Sequence, residues 1–227
     1  MKNKEQSEKV REIFNAIAGK YDFLNGILSM SFDNKWRRFA IRAADIKAEH
    51  CVLDLACGTG ALMTAIKEHE PKCMLYGADF SVNMLKIGRN KVGECPLTAA
   101  DAQCLPFKES SFDRITMAFG FRNVADKELG LAELFRVVKK DGKVCILELT
   151  PPENTLMGKL YKFYFKYILP LIGGIFSSRK AYAYLPDSVA HFPKRDEYKK
   201  MIEKAGFKHI HFKPMFFGAV TIAVMEK

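Results

Sequence analysis

Residues 53 to 62, LDLACGTGAL, set small residues and glycines between an apolar stretch and a helix start, with Gly58, Thr59 and Gly60 at the turn. Glycines there permit a tight turn and let main-chain N–H groups approach a ligand, which the helix N-terminus favours if it is anionic. Asp79, nineteen residues past Gly60, ends the next apolar run, where a carboxylate can accept both hydroxyls of a ribose. Dinucleotides and S-adenosylmethionine both use this pairing. A dinucleotide fingerprint asks for a third glycine three positions after Gly60, for close helix-to-strand packing; Met63 stands there. S-adenosylmethionine has an amino-acid end and an adenosine end. It asks for an acid before the loop (Asp54), one on the ribose (Asp79) and a polar group near the adenine, where the third strand ends in Asp101-Ala102. Singly, Asp54 could cap a turn and an Asp after a strand is common loop chemistry. Jointly, three carboxylates at successive strand ends match one extended adenosyl ligand.

Those ends need a sheet behind them. From Cys51 the pattern alternates: CVLDLA, a helix from Ala61 to His69, MLYGAD, a helix from Ser81 to Asn90, PLTAAD, FDRITMAF, a helix from Asp126 to Lys139, and KVCILEL. Short apolar runs alternating with helices predict an α/β doubly wound, largely parallel sheet covered on both faces. Before it, Val10, Ile13, Phe14 and Ile17 at helical spacing predict a helix over 5–18 ended by Gly19, then a short helical piece, FLNGILSMSF. Together they predict an N-terminal cap over 1–50. After Pro151-Pro152 the rhythm breaks into LMGKLYKFYFKYILPLIGGIFSS, and it resumes with the helix KRDEYKKMIEKAG and the strands HIHFKPM and AVTIAVME. An insertion between sheet elements usually serves the ligand end of such a fold.

A chain of 227 residues, 48% hydrophobic, can bury a core as one α/β domain. The net charge of +10 fits either a solvated basic surface or an anionic partner such as nucleic acid, anionic lipid or an acidic ligand. Six scattered cysteines without a C-x-x-C pair read as small buried hydrophobes in a reducing compartment, and no metal site is expected. MKNKEQSEKVREIF has no apolar signal core, and no stretch reaches the roughly 18 apolar residues of a membrane span. A cytoplasmic protein is expected.

Nearly the whole chain resembles the S-adenosylmethionine-dependent C-methyltransferases of menaquinone and ubiquinone biosynthesis. The likeness is carried by YDFLNGILSMSFDNKWR, DLACGTG, DFSVNMLKIGRNK, DAQCLPFKESSFD, ITMAFGFRNV, ELFRVVKKDGKVCILEL, YAYLPDSVAHFP and MIEKAGF. The glycine loop is shared by most class I methyltransferases; AFGFRNV and YLPDSV are much more specific. Two edges depart: Asn34 stands where the family usually has a histidine, and the chain ends in AVMEK rather than a His-Arg-Gly stretch. Both bear on the acceptor, not on the cofactor.

The resemblance implies a single domain with a Rossmann-like class I methyltransferase fold: a seven-stranded, mostly parallel sheet with an antiparallel last strand. The cap over 1–50 would be followed by the cofactor-binding core at 51–150, a helical insertion at 151–193, and a final helix with two strands at 194–227. It implies that Thr59 in the glycine loop, Asp79 on the ribose and Asp101 with Ala102 near the adenine bind S-adenosylmethionine. The activity implied is methylation of demethylmenaquinol to menaquinol, or of a polyprenyl-methoxy-benzoquinol.

A sulfonium methyl is already activated, so the protein must place a carbon nucleophile in line and favour its electron-rich form. A quinol ring carbon becomes nucleophilic when the neighbouring hydroxyl ionises. Arg122 and Asn123 follow the fourth strand; Arg122, always protonated, would stabilise the quinolate and Asn123 orient its oxygen, unless they form a buried strand-end ion pair or turn. Tyr21 either closes over the site or packs. His191 with Asp187 could supply a base, a structural His and a water base being the alternatives. The aromatic and Lys-rich segment Leu156 to Ile175 is either a lid that skims the membrane and holds the polyprenyl tail, or core. Membrane contact would then be peripheral, at the inner face, and a homodimer stays open.

A rival reading is an RNA methyltransferase, suggested by the charge and the basic run from Lys194 to Lys213. Amino-nitrogen methylation of bases relies on an Asn/Asp-Pro-Pro-aromatic motif where this chain has AFGFRN, and no stacking-plus-basic module is evident; no nucleic acid is expected. A cofactor-binding regulator on the same scaffold is the other rival.

Overall fold

In strand β1 (Cys51–Leu55) every residue from Val52 to Leu55 is buried, because both faces of the sheet around it are covered. A computed structural model describes residues 2–29, 31–152 and 179–227. After β1 come α4 (Ala61–His69), β2 (Met74–Asp79), α5 (Val82–Val92), β3 (Leu97–Ala99), β4 (Phe112–Ala118), α6 (Lys127–Val137), β5 (Val138–Leu149), α7 (Arg179–Ala190), α8 (Arg195–Lys204), β6 (Lys208–Met215) and β7 (Val220–Glu226). Ahead of β1 lie α1 (Lys2–Ile17), a 3-10 turn (Ala18–Lys20), α2 (Tyr21–Leu28) and α3 (Phe32–Ala44).

The strands form one seven-stranded sheet in the order β3-β2-β1-β4-β5-β7-β6. Pairs β1–β2, β1–β4, β2–β3 and β4–β5 are parallel, and β7 runs antiparallel to both β5 and β6. The chain winds outward from β1 to β3 and then restarts on the other side of β1 at β4. That reversal opens a crevice beyond the carboxyl ends of β1 and β4, where ligands bind in such sheets.

Alternation along the strands splits the core into two. Leu53 and Leu55, with Ile115, Met117 and Ile146, pack against Leu131 and Leu134 of α6 and Tyr198 and Ile202 of α8. Val52, Leu75, Cys145 and Ile222 pack against Trp36, Ile41 and Ala44 of α3 and Leu62, Met63 and Ile66 of α4.

Several expectations shift. The cap contains a third helix, α3, bracketed by Ser31 and Asp45 in the left-handed region; its Trp36, Ala40, Ile41 and Ala44 recur at helical spacing among charges and bury against the sheet. Helix α6 ends at Val137, two residues earlier than expected, because Val138 already pairs with Phe112. The six cysteines are free, but only Cys57, Cys73 and Cys145 are buried, while Cys104 is exposed. The 156–175 element and its aromatics lie outside the described residues. The insertion's last part, from Arg179, is helical as expected, with Pro186 inside α7. Among the described residues, no helix is long and apolar enough to cross a membrane.

Candidate active site

The crevice is built on left-handed backbone. Gly58 and Gly60 sit at φ +56 and +81, and Ala56 and Phe119, just past β1 and β4, at φ +55 and +59. Gly58 can hold that conformation without a Cβ penalty, whereas Ala56 and Phe119 hold it against one. The loop also needs Gly88 on α5: a Cβ there would meet the Gly58 carbonyl oxygen at 3.2 Å and the Thr59 carbonyl carbon at 3.3 Å. Gly120 is likewise obligatory, since a Cβ would come within 2.4 Å of the Ala56 Cβ.

Gly58, Asp79, Asp101, Ala102, Asn123 and Tyr21 all line the cleft. Thr59, Gly60 and Arg122 stand behind its wall. Asp79 is buried at its rim: Oδ2 accepts from the Gly58 N–H at 2.7 Å and Oδ1 from the Ser81 N–H at 2.7 Å. Burial pushes the Asp79 carboxyl up, and these backbone N–H groups pull it back toward the charged form. Each of its oxygens keeps a lone pair for a further donor. Asp101 accepts from the Gln103 N–H at 2.9 Å and from the Gln103 side chain, so sequence-local contacts fix its carboxylate just past β3, beside the strand that carries Asp79. The lining also includes apolar Phe80, Met84, Ala100, Ala102 and Val124.

Asp54 points to the α3 side, fully buried, with Thr116 donating to Oδ1 at 2.9 Å. Its Oδ2 has no partner among the described residues. Burial pushes the Asp54 carboxyl up to about 7, against the pull of Thr116 and Arg37.

The cap closes the cleft from above. Ser7, Val10, Arg11 and Phe14 of α1 line it together with Tyr21, whose ring meets Phe14 edge-on at 6.0 Å. Polar hooks hold this roof down: Ser81 donates to Asn15 Oδ1 at 2.6 Å and Gln103 to the Ser7 hydroxyl at 3.3 Å. Thr59 gives its hydroxyl to Asp22 at 2.6 Å, and Asp22 also pairs with Lys91. The glycine-loop threonine thus holds the cap, a role its place in the motif did not suggest.

Past β4, a 3-10 turn (Phe121–Asn123) presents Asn123 to the cleft. The Asn123 Oδ1 accepts from the Tyr184 hydroxyl of α7 at 3.0 Å. Burial pushes the Tyr184 phenol up, so it stays protonated and donates. Arg122 is the buried strand-end ion pair: its Nη1 donates to Glu148 Oε1 at 2.7 Å and to the Phe119 carbonyl, while its own N–H donates to Glu148 Oε2 at 2.8 Å. Burial alone would lower the Arg122 guanidinium, but Glu148 carries it above its ordinary value. His191 and Asp187 do not reach the cleft; their side chains are largely exposed and pair with each other at 3.3 Å. Glu148 was legible as the lone acid in the apolar strand KVCILEL, whereas Tyr184 and Gly88 carried no individual signal.

A seven-stranded sheet in this order, with a glycine loop, a buried acid at the end of β2 and a roofed cleft at its switch point, defines a Rossmann-like S-adenosylmethionine-dependent methyltransferase. The ubiE/COQ5 methyltransferase family model matches residues 1–227, and the chain belongs to that family. It is 43% identical over 230 residues to the ubiquinone/menaquinone biosynthesis C-methyltransferase UbiE of Geotalea uraniireducens, covering 98% of each. It is 42% identical over 220 residues to the demethylmenaquinone methyltransferase of Thermus thermophilus, covering 95% of this chain and 100% of the relative. A methyltransferase structure from Thermotoga maritima superposes with a TM-score of 0.70 at 20% identity, covering 96% of this chain and 99% of that one, which speaks for the fold alone.

Proposed function

We propose that this chain methylates a ring carbon of a polyprenylated quinol, with demethylmenaquinol as the acceptor and S-adenosylmethionine as the donor. The cleft suits that donor. Asp79 has a free lone pair on each oxygen for the ribose hydroxyls, and the apolar walls from Phe80 to Val124 suit an adenine. When bound, S-adenosylmethionine supplies an electrophilic methyl on a positively charged sulfur.

The observation that carries the acceptor side is the Asn123–Tyr184 pair. Tyr184 occupies the Asn123 carbonyl oxygen and one amide N–H points to the Phe119 carbonyl at 3.5 Å, which leaves the second N–H to donate to an acceptor oxygen in the cleft. Donation of that kind is worth more to a quinolate than to a quinol, so it lowers the cost of ionisation. Arg122 contributes from behind the wall: tied to Glu148 and to the Phe119 carbonyl, it holds the turn that carries Asn123, with its charge largely neutralised. The phenol of Tyr184 keeps its proton, so the quinol's hydroxyl proton leaves to water. Once the methyl has passed from sulfur to the ring carbon, that carbon's own proton is lost and the oxygen is reprotonated, which restores the quinol. Gly58, Asp79, Asp101 and Ala102 bind the donor; Thr59 and Gly60 shape the loop; Tyr21 and α1 exclude water from the methyl.

The relatives' names support a quinone pathway, and that of the Thermus protein names demethylmenaquinone. The Geotalea relative's double name keeps a methoxy-benzoquinol as second acceptor. Transfer of labelled methyl to demethylmenaquinol, a methoxy-benzoquinol and RNA in parallel tests the reading. Label in the naphthoquinol is expected, and label in RNA alone would overturn it.

A further inference from the structure

Helix α3 buries Trp36, Ala40, Ile41 and Ala44 and turns the opposite side outward. That outer side is aromatic and basic. Phe32 and Phe39, two helical turns apart, are 38% and 40% exposed, and Phe217, at the tip of the β6–β7 hairpin, is 49% exposed. Such large rings are normally covered. Lys35, Arg38 and Arg42 are exposed on the same side of α3. The Lys35 ammonium sits 5.2 Å from the Phe32 ring centre, and Lys213 of β6 lies 5.0 Å from that of Phe39. The one acid of α3, Asp33, is buried against Arg37. The hairpin is continuous with the helix face, since Phe32 packs on Phe216 at 6.1 Å and Phe216 on Phe217 at 5.8 Å. It is also continuous with the cleft: Phe216 meets Trp36 at 6.0 Å, Trp36 meets Phe119 at 6.3 Å, and Phe119 lines the cleft.

We infer that this face, formed by the outer side of α3 and the β6–β7 hairpin tip, docks on the surface of an anionic lipid bilayer. Rings that reach the headgroup boundary, with ammonium and guanidinium groups beside them, are the chemistry of an interfacial helix. The charge argues for that occupant over a second copy of this chain. A two-fold contact through this face would bring its Lys35, Arg38 and Arg42 against the same basic face of the second copy, with no exposed acid of α3 to offset them. The purpose of docking rests on the quinol reading, because a polyprenyl acceptor resides in the membrane, but the binding is read without substrate.

The test is sedimentation of the full chain with vesicles of phosphatidylcholine alone and of equimolar phosphatidylcholine and phosphatidylglycerol. Binding to the mixed vesicles should exceed that to neutral ones by at least roughly tenfold and weaken with salt. F39S/F217S, both at exposed positions, should lower it by roughly tenfold, and K35E/R38E by roughly 25-fold or more, at about fivefold for each cation lost. Both variants should keep wild-type thermal stability and wild-type turnover of a short-chain, water-soluble quinol. Equal binding to both vesicle types, or variants that bind like wild type, would overturn the inference. So would a dimer that F39S/F217S dissociates, or loss of RNA rather than vesicle binding in K35E/R38E. A wild type that binds anionic vesicles but methylates no quinol would sink the substrate reading and leave the docking face standing.

Discussion

The Tyr184 hydroxyl lies 3.0 Å from Asn123 Oδ1, while the amide nitrogen of Asn123 lies 3.5 Å from the Phe119 carbonyl, so the amide is held at both ends. Asn123 comes from the turn after β4 and Tyr184 from α7, 61 positions later in the chain. Tyr184→Phe removes the donor without changing shape, so the amide is free to turn its oxygen inward. Turnover should fall by roughly tenfold, the worth of one buried hydrogen bond, with S-adenosylhomocysteine affinity unchanged. Calorimetric affinity and steady-state rates measured side by side check this; loss of affinity in place of rate would remove the orienting role.

Asp79 serves two backbone donors as well as the cleft. Asp79→Ala should weaken S-adenosylhomocysteine binding by about 100-fold, two charge-assisted hydrogen bonds' worth. Its stability should also fall by about 1–3 kcal/mol, because the Gly58 and Ser81 N–H groups lose their partner. Asp79→Asn, which keeps an oxygen, should recover part of the stability and less of the affinity.

Arg122→Ala strands the Glu148 carboxylate in the core and should cost about 3–5 kcal/mol of stability, together with turnover. The double variant Arg122→Met/Glu148→Leu separates the two effects. It should regain most of the stability, since an apolar pair can replace a buried ion pair, while turnover stays low because the turn carrying Asn123 has lost its tie to the Phe119 carbonyl. Denaturant melts and rates on the same preparations decide the matter; wild-type turnover in the double variant would take Arg122 out of the mechanism.

Asp54 is an acid with a folded-state pKa raised to about 7. Such a group binds its proton more tightly folded than unfolded, so its contribution favours the fold at low pH. That contribution is lost as pH rises from the ordinary carboxylate value of about 4 toward 7. Asp54→Asn, which cannot ionise, should flatten the fall in stability of the ligand-free protein across that window. Melting temperatures taken between those limits read this directly, and an unchanged slope would place the titration elsewhere.

Gly88→Ala puts a methyl against the carbonyl groups of Gly58 and Thr59. Backbone cannot yield as a flexible side chain does, so the loop should shift and S-adenosylhomocysteine affinity drop by roughly tenfold or more. Secondary structure should be unaffected, as circular dichroism will show.

The sequence by itself determined the alternation of strands and helices and the glycine turn at Gly58 to Gly60. It also placed Asp79 and Asp101 at strand ends, because periodicity, left-handed turns and strand termini are local properties of the chain. Helix α3 escaped because its buried face is interrupted by exposed charges, and only the sheet beneath shows that face to be core. Tertiary structure alone decided which polar groups meet. Thr59 turned to Asp22 of the cap, Arg122 to Glu148 on the neighbouring strand, and Asn123 to Tyr184 on a distant helix, while His191 and Asp187 were left outside facing water. Such pairings depend on strand order and helix docking, which place residues tens of positions apart within hydrogen-bond reach, and no short-range pattern carries that information.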